Sequence, residues 1–190
     1  MDQGSMILTI LMKISKISKS LALATPLAAV KIADAQAAAY LKIGDIKGES
    51  AAPGFENFIK ISYVKIEIDA TDAKGDASKI KFKNPQIRFP VEQASPSLML
   101  ACATGQPIPK ATLILTKHTD DGKEVAYYKV TFSDLVVTSY STTGSDERDT
   151  PTEEISLGYT EVEWTYFKVS QKDGTVSGTT TTGAITVPTE

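Results

Sequence analysis

The 190-residue sequence has one cysteine, one histidine and one tryptophan, and it lacks the motifs of the common enzyme classes. Because Cys102 is alone, no disulfide can form within the chain, and its apolar surroundings predict a packed, unreactive thiol. No G-x-S-x-G, C-x-x-C, H-E-x-x-H or phosphate-binding glycine motif is present. His118 precedes an Asp120-Asp121-Gly122 turn, where a polar side chain needs no function. The sequence therefore predicts no enzyme, no cofactor and no metal site, and leaves interaction as the default function.

The sequence also lacks an excess of either charge. The formal net charge is −3, and basic residues alternate with acidic ones, so no basic stripe is available for nucleic acid. Glu153 and Glu154 are adjacent, and on a strand they would point to opposite faces, which makes them poor candidates for a shared acid/base site. At this length, with 42% hydrophobic residues, we expect one packed domain with appendages.

The N-terminal region has the layout of a secretory signal peptide. In residues 12–37, three lysines precede an apolar stretch at 21–30 and a small-x-small site at Ala35-Gln36-Ala37. An apolar run of about 10 residues is well below the roughly 20 that cross a bilayer. Residues 1–38 are therefore predicted to be a cleaved leader of a secreted, extracellular protein. The alternative is an uncleaved amphipathic arm that packs on a neighbour.

Residues 39–170 have the short alternating apolar runs of β-strands, separated by turn residues. Changes of alternation phase at Tyr63–Val64 and at Thr160–Glu161 predict bulges or bends, and a turn is expected near Asp134. The expected fold is mostly β: a small β-barrel of two curled antiparallel sheets with one short flanking α-helix. The Thr/Gly-rich tail, residues 171–190, is predicted to be either a strand that pairs only in an assembly or a loose tail.

Two segments are candidates for contact with a partner. The loop at 44–57, GDIKGESAAPGFEN, is longer than most loops in compact domains and is therefore a candidate contact surface. A short helix is predicted within 91–105, with Ser95 as N-cap, Pro96 in the first helical position and Gly105 as the stop. The helix has no polar face, so it should be buried or pressed into a partner.

Four segments in order resemble the haemolysin-coregulated protein (Hcp) family, the tube protein of bacterial type VI secretion. They are YLKIGDIKGES at 40–50, QASPSLMLACATGQPIPKATLILTK at 93–117, YYKVTFSDLVVTSYSTTG at 127–144 and EEISLGYTEVEWTY at 153–166. The second segment is the most specific of the four. Together they cover most of the chain from Tyr40 to about Asp173.

The resemblance implies a structural subunit that forms hexameric rings, which stack into a hollow tube for effector delivery. Its implied partners are further copies of itself, secreted effectors, and sheath and spike proteins. The loop positions that match the family pattern are Gly48, Glu49 and Ser50. The other subunit-interface candidates are Ser95, Leu98 and Met99.

The leader and the tail differ from the usual family pattern: the tail implies a difference in ring closure or stacking, and the leader supports an alternative. A tube assembled in the cytoplasm needs no export leader, so residues 12–37 favour an exported Hcp-like binding or matrix module outside any contractile machine. An enzyme or toxin on the same fold is a third hypothesis, because fold does not fix function. The native N-terminus discriminates between the first two.

Overall fold

The computed structural model describes residues 38–70, 76–144 and 150–187. The predicted leader lies outside these residues, apart from Ala38. The described part contains one α-helix, α1 (Ser95–Thr104), and a 3-10 turn at Ala77–Lys79. The strands are β1 (Ala39–Ile43), β2 (Ile59–Ile61), β3 (Tyr63–Lys65), β4 (Ile68–Asp69), β5 (Lys81–Phe82), β6 (Gln86–Pro90), β7 (Ile108–His118), β8 (Glu124–Thr143), β9 (Thr152–Val169), β10 (Val176–Thr181) and β11 (Ile185–Thr186).

Nine strands form one antiparallel sheet in the order β2-β1-β7-β8-β9-β6-β3, with β10 and β11 also paired to β9. A separate two-stranded ladder joins β4 and β5. Alternate side chains of the large sheet fill a common core, as the alternation in the sequence predicts. The largest fully buried apolar side chains are Leu41, Ile43, Ile59, Ile87, Phe89, Leu98, Leu113, Phe132, Leu135, Ile155 and Leu157.

The sheet closes on itself at Ser62, the single residue between β2 and β3. These two strands are the ends of the sheet order, so one continuous segment pairs first with β1 and then with β6. The Ser62 N–H donates to the Arg88 carbonyl at 2.8 Å, where the exchange of partners occurs. Ile61 is buried and Tyr63 is exposed, which is the change of phase seen in the sequence. The expected mostly-β barrel with one short helix is confirmed.

The longest strands, β8 and β9, form a hairpin whose irregularities lie on β8. The register is the same on both sides of Thr160, although the ladder skips the pair of Asp134 with Thr160, so the bulge predicted at Thr160–Glu161 is wrong. The register shifts instead around Thr138 in β8. Asp134, expected to form a turn, is a single residue with φ 47° inside a continuous strand. Aspartate tolerates this left-handed conformation better than most residues, so the strand bends there without ending.

Helix α1 begins and ends close to the predicted positions. Pro96 lies in its first turn, and Gly105 ends it with φ 63° while its N–H donates to carbonyls of the last turn. The predicted N-cap is wrong: Ala94 occupies that position, and no side chain caps the helix. The Ser95 hydroxyl is engaged with Glu92 and Glu153 instead.

The tail pairs within the chain. β10 pairs with the C-terminal half of β9, and β11 pairs with Val162 and Glu161. All side chains of these two strands are exposed, so hydrogen bonds hold them, those of the backbone and those of the Ser177 and Thr181 hydroxyls to β9. The predicted domain boundary at residue 170 stays a prediction; the sheet itself continues past it.

Candidate assembly surface

The loop at 44–57 is an ordered structure that folds back on itself. The Gly48 N–H donates to the Asn57 carbonyl at 2.8 Å, and the Asn57 N–H donates to the Ser50 carbonyl at 2.9 Å. The Ser50 N–H also reaches the Phe58 carbonyl at 3.0 Å. These bonds satisfy the loop backbone and leave the tip around Pro53 and Gly54 exposed. The loop therefore presents a preformed edge to solvent.

Aromatic stacking fixes the loop on β1. The Phe55 ring lies on the Tyr40 ring, with centroids 4.6 Å apart and an interplanar angle of 4°. The Tyr40 hydroxyl donates to Glu124 Oε2 at 3.1 Å. Burial, and then the hydrogen bond to the Glu124 carboxylate and its charge, raise the pKa of Tyr40 to about 12. Tyr40 therefore stays protonated and keeps donating throughout the neutral range.

The loop is also joined to the segment that precedes α1. The Glu49 N–H donates to Glu92 Oε2 at 3.2 Å, and the Gln93 N–H donates to Glu49 Oε1 at 3.0 Å. The Gln93 side-chain amide donates to the Gly48 carbonyl. We call this reciprocal set the loop–helix junction. It links residues more than 40 positions apart in the sequence.

A buried carboxylate lies beneath the loop–helix junction. Glu153 is only 2% exposed, and its two oxygens accept hydrogen bonds from the hydroxyls of Ser95, at 2.7 Å, and Tyr140. Burial and this bond raise the pKa of Tyr140. Glu154 points to the opposite face, where it pairs with Arg88, as the strand alternation predicts.

The environment of Glu92 disfavours its charged form. Burial raises the pKa of Glu92, and the nearby charges of Glu49 and Glu153 raise it further, against the lowering effect of backbone hydrogen bonds from Glu49 and Ala94. Its Oε1 is buried and has no hydrogen-bond partner among the described residues. The loop–helix junction therefore contains a carboxylate that titrates above its usual range.

The structure places the six predicted interface residues in two settings. Glu49 and Met99 are exposed, and Ser50 is half-buried, so these side chains are accessible to a second molecule. Gly48, Ser95 and Leu98 are buried, so any part they take in an interface is to hold the loop and the helix in place. Beside Met99, Leu100 is 60% exposed and gives α1 an apolar outer face.

Other parts of the surface offer shallow clefts. One of about 750 Å³ holds Arg88 over the Tyr63 ring, 4.8 Å from its centroid. Within the described ranges, no group of three or more His, Cys, Asp or Glu side chains is arranged to hold a metal ion. Likewise, none of the described helical structure has the length and apolarity that a membrane-spanning helix requires.

Sequence reasoning missed Glu92, Gln93, Tyr140 and Glu153 as parts of this surface. Glu153 carried a usable signal, because it continues the inward alternation of the apolar residues Ile155 and Leu157. The pairing of Glu49 with Glu92 had no such signal, since it depends on how a loop and a helix start meet in space.

A barrel-like nine-stranded sheet, an ordered loop with an exposed tip and a helix with an exposed apolar face define a mostly-β barrel protein with one short flanking helix. The family model described as "Type VI secretion system effector, Hcp" matches residues 40–166. The chain belongs to the Hcp family of type VI secretion. This is a family of structural secretion proteins and not of enzymes.

Individual relatives agree with the family assignment. Protein hcp1 of Pseudomonas aeruginosa is 28% identical over 144 residues, which cover 73% of this chain and 88% of that protein. The crystal structure of Hcp1 from Salmonella typhimurium has a TM-score of 0.61 at 31% identity, covering 76% of this chain and 91% of the other. Hcp2 from the same organism has a TM-score of 0.60 at 27% identity, covering 79% and 95%.

Proposed function

We propose that this chain is the ring-forming subunit of a type VI secretion tube, in which hexameric rings stack into a hollow conduit for effectors. The observation that carries the proposal is the preformed loop at 44–57, which is hydrogen-bonded to the segment before α1 while its tip stays exposed. A loop ordered before contact loses little conformational entropy on binding, so it suits repeated self-association. Family membership supplies the context, and effectors, sheath and spike proteins follow as partners in the same proposal.

The exposed side chains that we assign to subunit contact are Glu49, Ser50 and Met99. Leu100 extends this set, because an apolar side chain that is 60% exposed gains about 1–2 kcal/mol when the rest of its surface is buried. Gly48, Ser95 and Leu98 support the contact from below. In a closed hexameric ring the same contact between neighbouring subunits occurs six times, so a small gain in binding free energy at each contact adds up around the ring.

Electron microscopy of negatively stained protein, with size-exclusion chromatography, tests this function. Protein purified from Ala38 onward should elute as a hexamer and show rings, with stacks at high concentration. The matched variant Leu100→Lys should retain the barrel but elute at lower mass. A wild-type protein that stays monomeric at high concentration would refute the ring proposal and leave the family assignment intact.

The alternative function, an exported binding or matrix module, is supported by the leader-like layout of residues 12–37. It makes residues 1–38 the leader region, which is cleaved after Ala37, 39–170 the barrel and 171–190 an appended tail. Mass spectrometry of the native protein tests it: an N-terminus at Ala38 places assembly outside the cytoplasm. A retained N-terminus at Met1 or Met12 would remove the support for this alternative.

A further inference from the structure

A series of hydrogen bonds runs from the buried face of β9 to the exposed loop at 44–57. Glu153 Oε2 accepts the Ser95 hydroxyl at 2.7 Å, and the oxygen of that hydroxyl accepts the Glu92 N–H at 2.9 Å. The Glu92 carboxylate then accepts the Glu49 N–H at 3.2 Å. We propose that Glu153 is a positioning residue for the loop at 44–57. The hydroxyl of Ser95 connects Glu153 to Glu92, and Glu92 in turn holds Glu49.

The burial of Glu153 is the first argument. A carboxylate that is 2% exposed loses its hydration and needs hydrogen bonds to both oxygens, which Ser95 and Tyr140 supply. A buried, hydrogen-bonded carboxyl group of this kind adds little stability over an apolar side chain of similar size. Its neighbours Ile155 and Leu157 show that this face of β9 accommodates apolar residues. Glu153 instead fixes the orientation of the Ser95 hydroxyl, because that hydroxyl donates to its Oε2.

The chemistry of Ser95 is the second argument. Serine at the start of a helix usually caps the backbone, yet here no side chain caps α1. The hydroxyl donates to Glu153 and accepts from the Glu92 N–H, so both its donor and its acceptor capacity serve the series of bonds. Alanine in its place would leave Glu92 without this support while preserving the helical backbone.

The third argument is the matched role of Tyr140. Its hydroxyl also donates to Glu153 and lies close enough to interact with the Ser95 side chain, but Tyr140 is on β8 and makes no bond to Glu92 or Glu49. Removing either hydroxyl deprives the same buried carboxylate of one donor. Only the loss of Ser95 interrupts the connection to the loop. The pair Ser95→Ala and Tyr140→Phe therefore separates loop positioning from core stability.

Hydrogen–deuterium exchange of the full-length chain, measured by mass spectrometry, tests the inference. After correction for global stability from the β8 and β9 amides, Ser95→Ala should speed exchange in loop residues 46–52 about tenfold, the effect of one lost hydrogen bond. Tyr140→Phe should leave loop exchange at the wild-type value. Equal acceleration in the two variants, or none in Ser95→Ala, would overturn the proposal.

A second pair keeps the test decisive if Ser95→Ala does not fold. Glu153→Gln can turn its carbonyl oxygen to Ser95 and its amide to the Tyr140 oxygen, so loop protection should stay within about twofold of wild type. Glu153→Met fills similar space but offers Ser95 no strong acceptor, and loop exchange should rise about tenfold. The proposal fails if both variants protect the loop equally.

The biological meaning of this inference rests on the proposed function, but its test does not. If wild-type protein forms no rings while Ser95→Ala frees the loop, the ring proposal fails and the positioning role stands. If wild-type protein forms rings while Ser95→Ala leaves loop exchange unchanged, the positioning role fails and the ring proposal stands.

Discussion

At the scale of single residues, Gly48 is the loop position that has no room for a side chain. A Cβ there would lie 2.3 Å from the Phe58 carbonyl oxygen and 2.5 Å from the Ile59 nitrogen. Both atoms belong to the backbone, so relief requires the loop to move away from β2. We expect Gly48→Ala to lower the free energy of unfolding by about 1–3 kcal/mol, measured by urea denaturation.

The control for this substitution is Gly54→Ala at the tip of the same loop. Gly54 has φ 84°, but a Cβ added there would have no heavy atom within 4 Å, so alanine meets conformational strain and no clash. The expected cost is about 1 kcal/mol, and the loop should stay attached. Finding Gly48→Ala as stable as the wild-type protein would contradict the close approach of the loop to β2.

The raised pKa of Glu92 gives a prediction about pH. Burial is its largest cause, so the folded protein holds the proton at pH values where the unfolded chain has released it. Between the ordinary carboxyl pKa, about 4.3, and the raised value, the folded state binds more protons, and stability must fall as pH rises. Glu92→Gln should remove this part of the slope when melting temperature is followed from pH 4 to 7. An unchanged slope would exclude Glu92 as its source.

At the scale of elements, the two faces of α1 have different roles. Leu98 is fully buried in the barrel core, whereas Leu100 is 60% exposed. Leu98→Ala should cost about 2–5 kcal/mol of stability, because it opens a cavity. Leu100→Ala should change monomer stability by less than about 0.5 kcal/mol. Chemical denaturation of both variants checks the contrast, and equal costs would mean that the helix is packed the other way round.

The limits of sequence reasoning are clearest in this helix. Pro96 and Gly105 predict its two ends correctly. The fixed φ of proline and the tolerance of glycine for positive φ are properties of the residues themselves and do not depend on the rest of the fold. The prediction of Ser95 as N-cap was wrong, since a hydroxyl at a helix start can either cap the backbone or bond elsewhere. Here it donates to a buried carboxylate 58 positions away in the sequence. The change of phase near Tyr63 could be predicted, because the residues on each side of it alternate with a period of two. A local pattern could not predict that the two halves, β2 and β3, pair with different strands.

At the scale of the whole molecule, β10 and β11 cover an edge of the barrel that would otherwise be open. They pair with β9 over residues 161–169, beyond the stretch where β6 is its neighbour. All their side chains are exposed, so hydrogen bonds worth about 0.5–1.5 kcal/mol each hold them, mainly from the backbone and also from the hydroxyls of Ser177 and Thr181. Val187, just after β11, adds a partly buried contact with the core.

Removing residues 176–190 should therefore weaken the barrel without unfolding it. We expect the melting temperature to fall by roughly 4–12 °C, because the loss of two or three kcal/mol shifts a domain of this size by that amount. The freed edge of β9 should also make association depend on protein concentration, since an unpaired strand accepts another chain. Calorimetry measures the fall in melting temperature, and light scattering measures the association.

A matched truncation after Val187 keeps the two strands and should behave as wild type. Complete unfolding of the shorter protein would mean that the tail is part of the core, whereas unchanged melting and mass would mean that β9 needs no cover.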